Sequence, residues 1–131
     1  MQDRFKFRSY GRPNSIIEGM QNIYTFEESK DGYFNVKVDK GWLSFVKEED
    51  LKIMQCTGLK DINGKLIYEK DIIKCSHGCE FAIGVIEWDS EELQFALKIE
   101  DAFYSIRQKT KFDIIEILGN IYENPELLED K

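Results

Sequence analysis

The chain has 131 residues, a formal net charge of −7 and a pI near 4.8. With 42% hydrophobic and 33% charged residues it is composed as a soluble globular protein, and that length buries about two-thirds of its unfolded surface without metal or disulfide. No apolar run approaches the roughly 20 residues of a membrane-spanning helix, the opening MQDRFKFRSY lacks a signal-peptide core, and the negative field repels phosphate backbones, so a cytoplasmic protein without membrane contact is expected.

Apolar residues alternate with a period of two almost throughout, which is the strand signal. Phe5 and Phe7 fall on one side of the first strand, with Lys6 and Arg8 on the other. This end is basic, carrying Arg4, Lys6, Arg8 and Arg12 against Asp3 alone, whereas residues 113–131 are strongly acidic. The run YFNVKV sets Phe34, Val36 and Val38 in phase, Gly41 breaks it, and a further strand covers Trp42–Val46. The charged segment KEEDLKIM, residues 47–54, reads as a helical turn or linker.

Asn63-Gly64 suits the two central positions of a type I′ hairpin turn. FAIGVIEWD and LQFALKI read as an antiparallel pair joined at Ser90-Glu91-Glu92, and FDIIEILGNIY adds another strand. Leu93, Phe95, Leu97 and Ile99 are in phase. Asn124-Pro125 looks like an N-cap and first helical residue opening one short acidic turn. The expected fold is all-β: an N-terminal β lobe (1–50), a small SH3-like barrel (53–122) and an acidic tail (123–131) with a short helical turn. Phe34, Val36, Ile72, Val85, Phe95, Leu97 and Ile117 are expected in the core, with Trp42 and Trp88.

Candidate chemistry is sparse. Cys75, His77 and Cys79 form a C-x-H-x-C string, and Cys56 could supply a fourth soft ligand. Alternate residues of a strand stand nearly 7 Å apart along it, awkward for one ion, so no metal and no cofactor are expected. A Cys–His dyad is disfavoured because its members would lie on one short segment. Nucleophile elbows, phosphate-binding glycine loops and metalloprotease helices are missing from the sequence. Glu27-Glu28, Glu48-Glu49-Asp50 and Glu91-Glu92 sit in polar stretches and read as solvated charge.

The run IMQCTGLKDINGKLIYEKDIIK at 53–74 resembles the signature of the YopX-like family of phage and prophage proteins. Gln55, Thr57, Gly58, Leu59, Lys60, Asp61, Asn63, Gly64, Ile67, Tyr68, Glu69, Asp71 and Ile72 match it. RFKFRSY resembles the family's start, GVIEWD a later strand, and LGNIYENPELLE its ending. The resemblance implies an all-β, phage-associated protein with no catalytic residue to transfer. Gln55, Thr57, Gly58, Leu59, Asp61, Asn63, Gly64, Tyr68, Asp71, Gly119, Asn120 and Tyr122 are accordingly assigned structural roles. Lys70 stands where the family has Gly. If the position demanded a positive φ, Lys70 would be strained by roughly 1 kcal/mol or more; the expectation is a turn that tolerates either.

Three functions follow as expectations. The first is a non-enzymatic accessory protein that works through contacts with itself as a homo-oligomer and with a phage or host protein. Its opposed terminal charges favour head-to-tail assembly. The second is a small-barrel nucleic-acid binder using Arg4, Lys6 and Arg8 beside Phe5, Phe7 and Tyr10, although alternation makes that segment a half-buried strand. The third is an enzyme built on Cys75, His77 or Cys79.

Overall fold

The computed structural model describes residues 6–11, 19–28, 32–47, 50–77, 80–106 and 114–128. The chain divides into two compact units, Met1–Cys56 and Thr57–Lys131. In the first, β1 (Phe7–Gly11), β2 (Gly19–Glu28), β3 (Tyr33–Val38), β4 (Gly41–Lys47) and β5 (Leu51–Lys60) form an antiparallel sheet in the order β4-β3-β2-β1-β5. Alternation sorts its faces. Val36 and Val38 are buried on one side of β3 while Lys37 between them is exposed. Val46 and Leu51 complete that core, with Ile23, Phe34, Leu43 and Ile53 packed around it. Each such side chain, where fully buried, contributes about 1.5–3 kcal/mol.

Of the segment 47–54, Glu48 and Glu49 lie outside the described residues, and Leu51–Met54 are strand and not part of a helical turn or linker. Lys47 ends β4 and Leu51–Met54 open β5, where Tyr10 pairs with Lys52 and Arg8 with Met54. Two apolar residues, Leu51 and Met54, gain full burial against that sheet, which outweighs the local charge. The last residues of β5 belong to the second unit.

There, β6 (Leu66–Tyr68) neighbours β5, and a second sheet is built from β7 (Asp71–His77), β8 (Glu80–Asp89), β9 (Gln94–Ile99), β10 (Ala102–Ser105) and β11 (Ile114–Asn120). Its order is β10-β9-β8-β7-β11, all antiparallel. The all-β class stands, but the expected barrel does not close. A barrel needs its outer strands to pair, and here β10 and β11 lie at opposite edges. Part of the β11 edge is already taken: Ile62 N–H donates to Ile115 C=O at 2.9 Å, and Ile117 N–H donates to Asp61 Oδ2 at 3.0 Å. A turn has filled positions that a closing strand would need.

The second core holds Ile67, Ile73, Cys75, Ile86, Leu97 and Ile106, with Leu59, Ala82, Phe95, Ile99, Ile115 and Ile117 partly buried against it. Of the expected core, Val36, Ile72 and Leu97 are fully buried, whereas Phe34, Val85, Phe95 and Ile117 are only half-buried. Trp42 and Trp88 are not core: they are 58% and 47% exposed. Trp88 lies on the sheet that stays open, and Trp42 lies on β4 of the first unit, outside the expected barrel. Trp88 instead stands edge-on against its cross-strand neighbour Phe95, ring centroids 5.1 Å apart. The 90–92 loop is a turn as expected, capped by Asp89 Oδ1, which accepts from Glu91 N–H at 3.1 Å. It extends to Leu93, whose φ of 54° and exposure remove it from the apolar phase of β9.

Candidate functional site

From Thr57 onward the residues that carry the resemblance form, in the second unit, a chain of turns held by polar side chains bonded to backbone. At Thr57-Gly58, β5 departs from regular geometry: Gly58 takes φ +86°. Thr57 Oγ1 spans the irregularity, donating to Ile67 C=O at 2.8 Å and accepting from Leu59 N–H at 3.1 Å.

Asp61 then organises the β5–β6 turn. Its Oδ1 accepts from Asn63 N–H and Lys65 N–H, both at 2.9 Å, and its Oδ2 from Ile117 N–H. The turn is not the expected two-residue type I′. Gly64 N–H donates to Asp61 C=O at 3.0 Å and Asp61 N–H to Lys65 C=O at 2.8 Å, while Gly64 has φ +83° and Asn63 does not share it. That is a three-residue connection ending in a left-handed Gly, with Asp at the first position, where its carboxylate can accept from the backbone ahead. Burial raises the Asp61 pKa, but the N–H groups of Ile117, Lys65 and Asn63, aided by the Lys65 charge, outweigh it and hold the carboxyl below its ordinary value.

The β6–β7 turn closes on Asp71, 2% exposed, whose Oδ2 accepts from Tyr68 N–H at 2.8 Å. Lys70 has φ +70°, the left-handed conformation under which strain on a non-Gly residue is expected, and the turn holds Lys there nonetheless. It is pinned on both sides: its N–H donates to Ile86 C=O at 2.8 Å and its C=O accepts from Ile121 N–H at 3.0 Å. Its Nζ pairs with Glu87 Oε1 at 2.9 Å.

After β11, buried Asn120 repeats the device, its Oδ1 accepting from Tyr122 and Glu123 N–H at 3.0 and 2.9 Å. Asn124 turns its side chain back to Asn120 N–H at 3.2 Å rather than forward as an N-cap, and a 3-10 turn at Pro125–Leu128 follows. A Cβ at Gly119 would collide with the Asn124 amide. Gln55 is half-buried in β5, paired across from Phe7 in the first unit.

The remaining candidates are dispersed. Lys6 is exposed and Arg8 half-buried, while Arg4 and Phe5 lie outside the described residues. Cys56 and Cys75 are buried cysteines outside any disulfide. Cys75 Sγ donates to Ala82 C=O at 3.5 Å, and burial pushes its thiol pKa up, away from nucleophilic chemistry. Cys79 and the His77 side chain lie outside what is described. Among the described residues, no three His, Cys, Asp or Glu side chains group as metal ligands.

Sequence reasoning missed a groove of about 590 Å³ on the second unit, lined along β8 by Ile83, Gly84, Val85 and Glu87, along β9 by Lys98 and Ile99, and by Glu100 and Leu128. Its mostly apolar lining follows from the residues of β8 that alternate away from the core. Gly84 permits the close strand approach beneath it, because a Cβ there would stand 2.6 Å from the Lys98 carbonyl oxygen. The Gly inside FAIGVIEW was the available signal.

The model of the YopX protein family matches residues 6–129. The chain belongs to the YopX family. Two solved structures share its fold. The YopX protein of Bacillus subtilis is 16% identical, with a TM-score of 0.66 over 96% of this chain and 99% of that one. Protein EF1440 of Enterococcus faecalis is 24% identical, with a TM-score of 0.57 over 95% and 97%. A search of curated proteins finds no match. In this YopX-family chain the signature residues Thr57, Asp61, Asp71 and Asn120 all bond backbone groups of turns.

Proposed function

We propose that this chain is a cytoplasmic phage or prophage accessory protein that acts through protein–protein contacts, self-association among them, and not through catalysis. The observation that carries the reading is the employment of the signature's polar groups. Thr57, Asp61, Asp71 and Asn120 spend their side-chain hydrogen bonds on turns, and the Asp61 carboxylate alone accepts three N–H groups. A general acid or base requires a carboxyl whose pKa is raised towards neutrality, and Asp61 moves the other way. The groove's lining includes no Ser, Thr, Cys or His.

Contact surface is plentiful. Tyr24, Trp42 and Phe81 are each more than half exposed, and aromatic side chains of this kind anchor protein interfaces. Among the described residues no helix is long and apolar enough to cross a membrane. The nucleic-acid reading gains little from β1, where Arg8 is half-buried between β2 and β5. Light scattering of the full chain at tens of micromolar, in low and high salt, tests the proposal. Masses well above 15.4 kDa are expected, and a mass of 15.4 kDa in both buffers overturns self-association.

A further inference from the structure

The solvent face of the β3–β4 hairpin has a composition unlike the chain around it. Residues 33–47 carry Lys37, Lys40 and Lys47 against Asp39 alone, in a protein of net charge −7. All three lysines are exposed. Asp39 is engaged locally: it accepts Asn22 N–H at 2.9 Å and the Tyr24 hydroxyl at 2.7 Å. Register places Lys37 directly across from Trp42, and on its other side across from Thr25. Directly paired residues have Cβ atoms about 5 Å apart, so the 58%-exposed indole and the Lys37 ammonium form one surface.

Exposed Glu27 of β2 lies on the same face, across from Asn35, so the patch is a lysine excess around an aromatic centre, a composition suited to an acidic partner. The same chain supplies such a partner. Its end presents Glu126, exposed in the 3-10 turn at Pro125–Leu128, and Glu123, exposed while accepting from Asn120 Nδ2 at 3.0 Å, within a sequence that is acidic from 113 to 131.

We infer that the β3–β4 hairpin face, with Trp42 at its centre and Lys37 and Lys40 around it, docks the acidic C-terminal turn of a second copy of this chain. The inference rests on the self-association reading and names its surface. It also relocates the positive half of a head-to-tail contact from β1 to the hairpin, where the cations are accessible. A contact between two different patches propagates from copy to copy and closes into a ring when the rotation permits.

Light scattering of the full chain at tens of micromolar tests it, using Lys37→Glu with Lys40→Glu as one variant and Glu126→Lys as another. Thermal melts matching the parent show that each variant folds. The parent should assemble at low salt and lose mass at high salt. The hairpin variant should fall to 15.4 kDa, and mixing it with the Glu126→Lys chain should restore a larger species, because the reversed charges again oppose. If the parent assembles but the hairpin variant keeps its mass, the docking surface is wrong while self-association survives. A parent of 15.4 kDa at low salt removes both. A parent of that mass that binds single-stranded DNA, in an anisotropy titration weakened by the hairpin variant, makes nucleic acid the occupant and overturns the inference.

Discussion

Replacing Asp61 by Asn keeps the side-chain shape and removes one charge from a position that is 7% exposed. The amide oxygen can still accept from Asn63 and Lys65, as Oδ1 does now, but the NH2 group then faces the Ile117 N–H that Oδ2 accepts at 3.0 Å. A hydrogen bond to a charged group contributes about 1.5–3 kcal/mol, and a buried N–H left without an acceptor costs about 1–3 kcal/mol. Part of this is offset because a neutral amide is easier to desolvate than a carboxylate. The expected net loss is about 3 kcal/mol at neutral pH, or a fall in thermal midpoint on the order of 10 °C for a chain of this size.

Acid supplies a second reading of the same bond. The folded Asp61 pKa lies below its unfolded value. Its contribution is therefore complete above the unfolded value of about 3.9 and lost as pH falls through the folded one. Parent and Asp61→Asn chains should thus converge in stability as pH falls below about 4. Urea unfolding followed by circular dichroism at a series of pH values measures both effects. A neutral-pH difference below about 0.5 kcal/mol, or one undiminished at the acid end, would refute the assignment of Asp61 as the turn's organiser.

Other substitutions probe the same scaffold. Lys70→Gly relieves a left-handed backbone that costs a non-Gly residue about 1–2 kcal/mol, and loses a half-exposed ion pair and some unfolded-state order worth less; a rise in thermal midpoint is expected, and a fall argues that the ion pair dominates. Gly84→Ala sets a methyl against the Lys98 carbonyl oxygen at 2.6 Å, a backbone atom that cannot swing away, so a loss of more than about 2 kcal/mol is expected in urea titration. Thr57→Val keeps the shape but abandons the Ile67 carbonyl and the Leu59 N–H, costing about 1–2 kcal/mol, whereas Thr57→Ser should lose less. Cys75 should resist iodoacetamide at pH 8 in the folded protein and react after denaturation, as peptide mapping by mass spectrometry would show; rapid labelling of the native chain would contradict its burial.

Much of this was legible in the sequence because a strand's period is short. Lys37 between Val36 and Val38 declares which side of β3 meets the core without any knowledge of its neighbours. Turn chemistry was partly legible: Asn63-Gly64 marks the turn, but its type was settled by Asp61, whose carboxylate reaches Ile117, 56 residues away. Tertiary structure alone decided the rest. Leu51–Met54 became strand because β1 offered a partner, against a locally charged sequence. Closure was refused because the 61–62 turn occupies part of the β11 edge, and Trp88 stayed in solvent on the open sheet, while Trp42 is exposed on β4 of the other unit. Lys70 could be suspected but not placed, since its φ is held by bonds to Ile86 and Ile121, one in β8 and the other just beyond β11. Periodicity encodes which face of a strand is apolar, but which strands become neighbours depends on pairings between distant residues, and those fixed the sheet edges and the exposed surface.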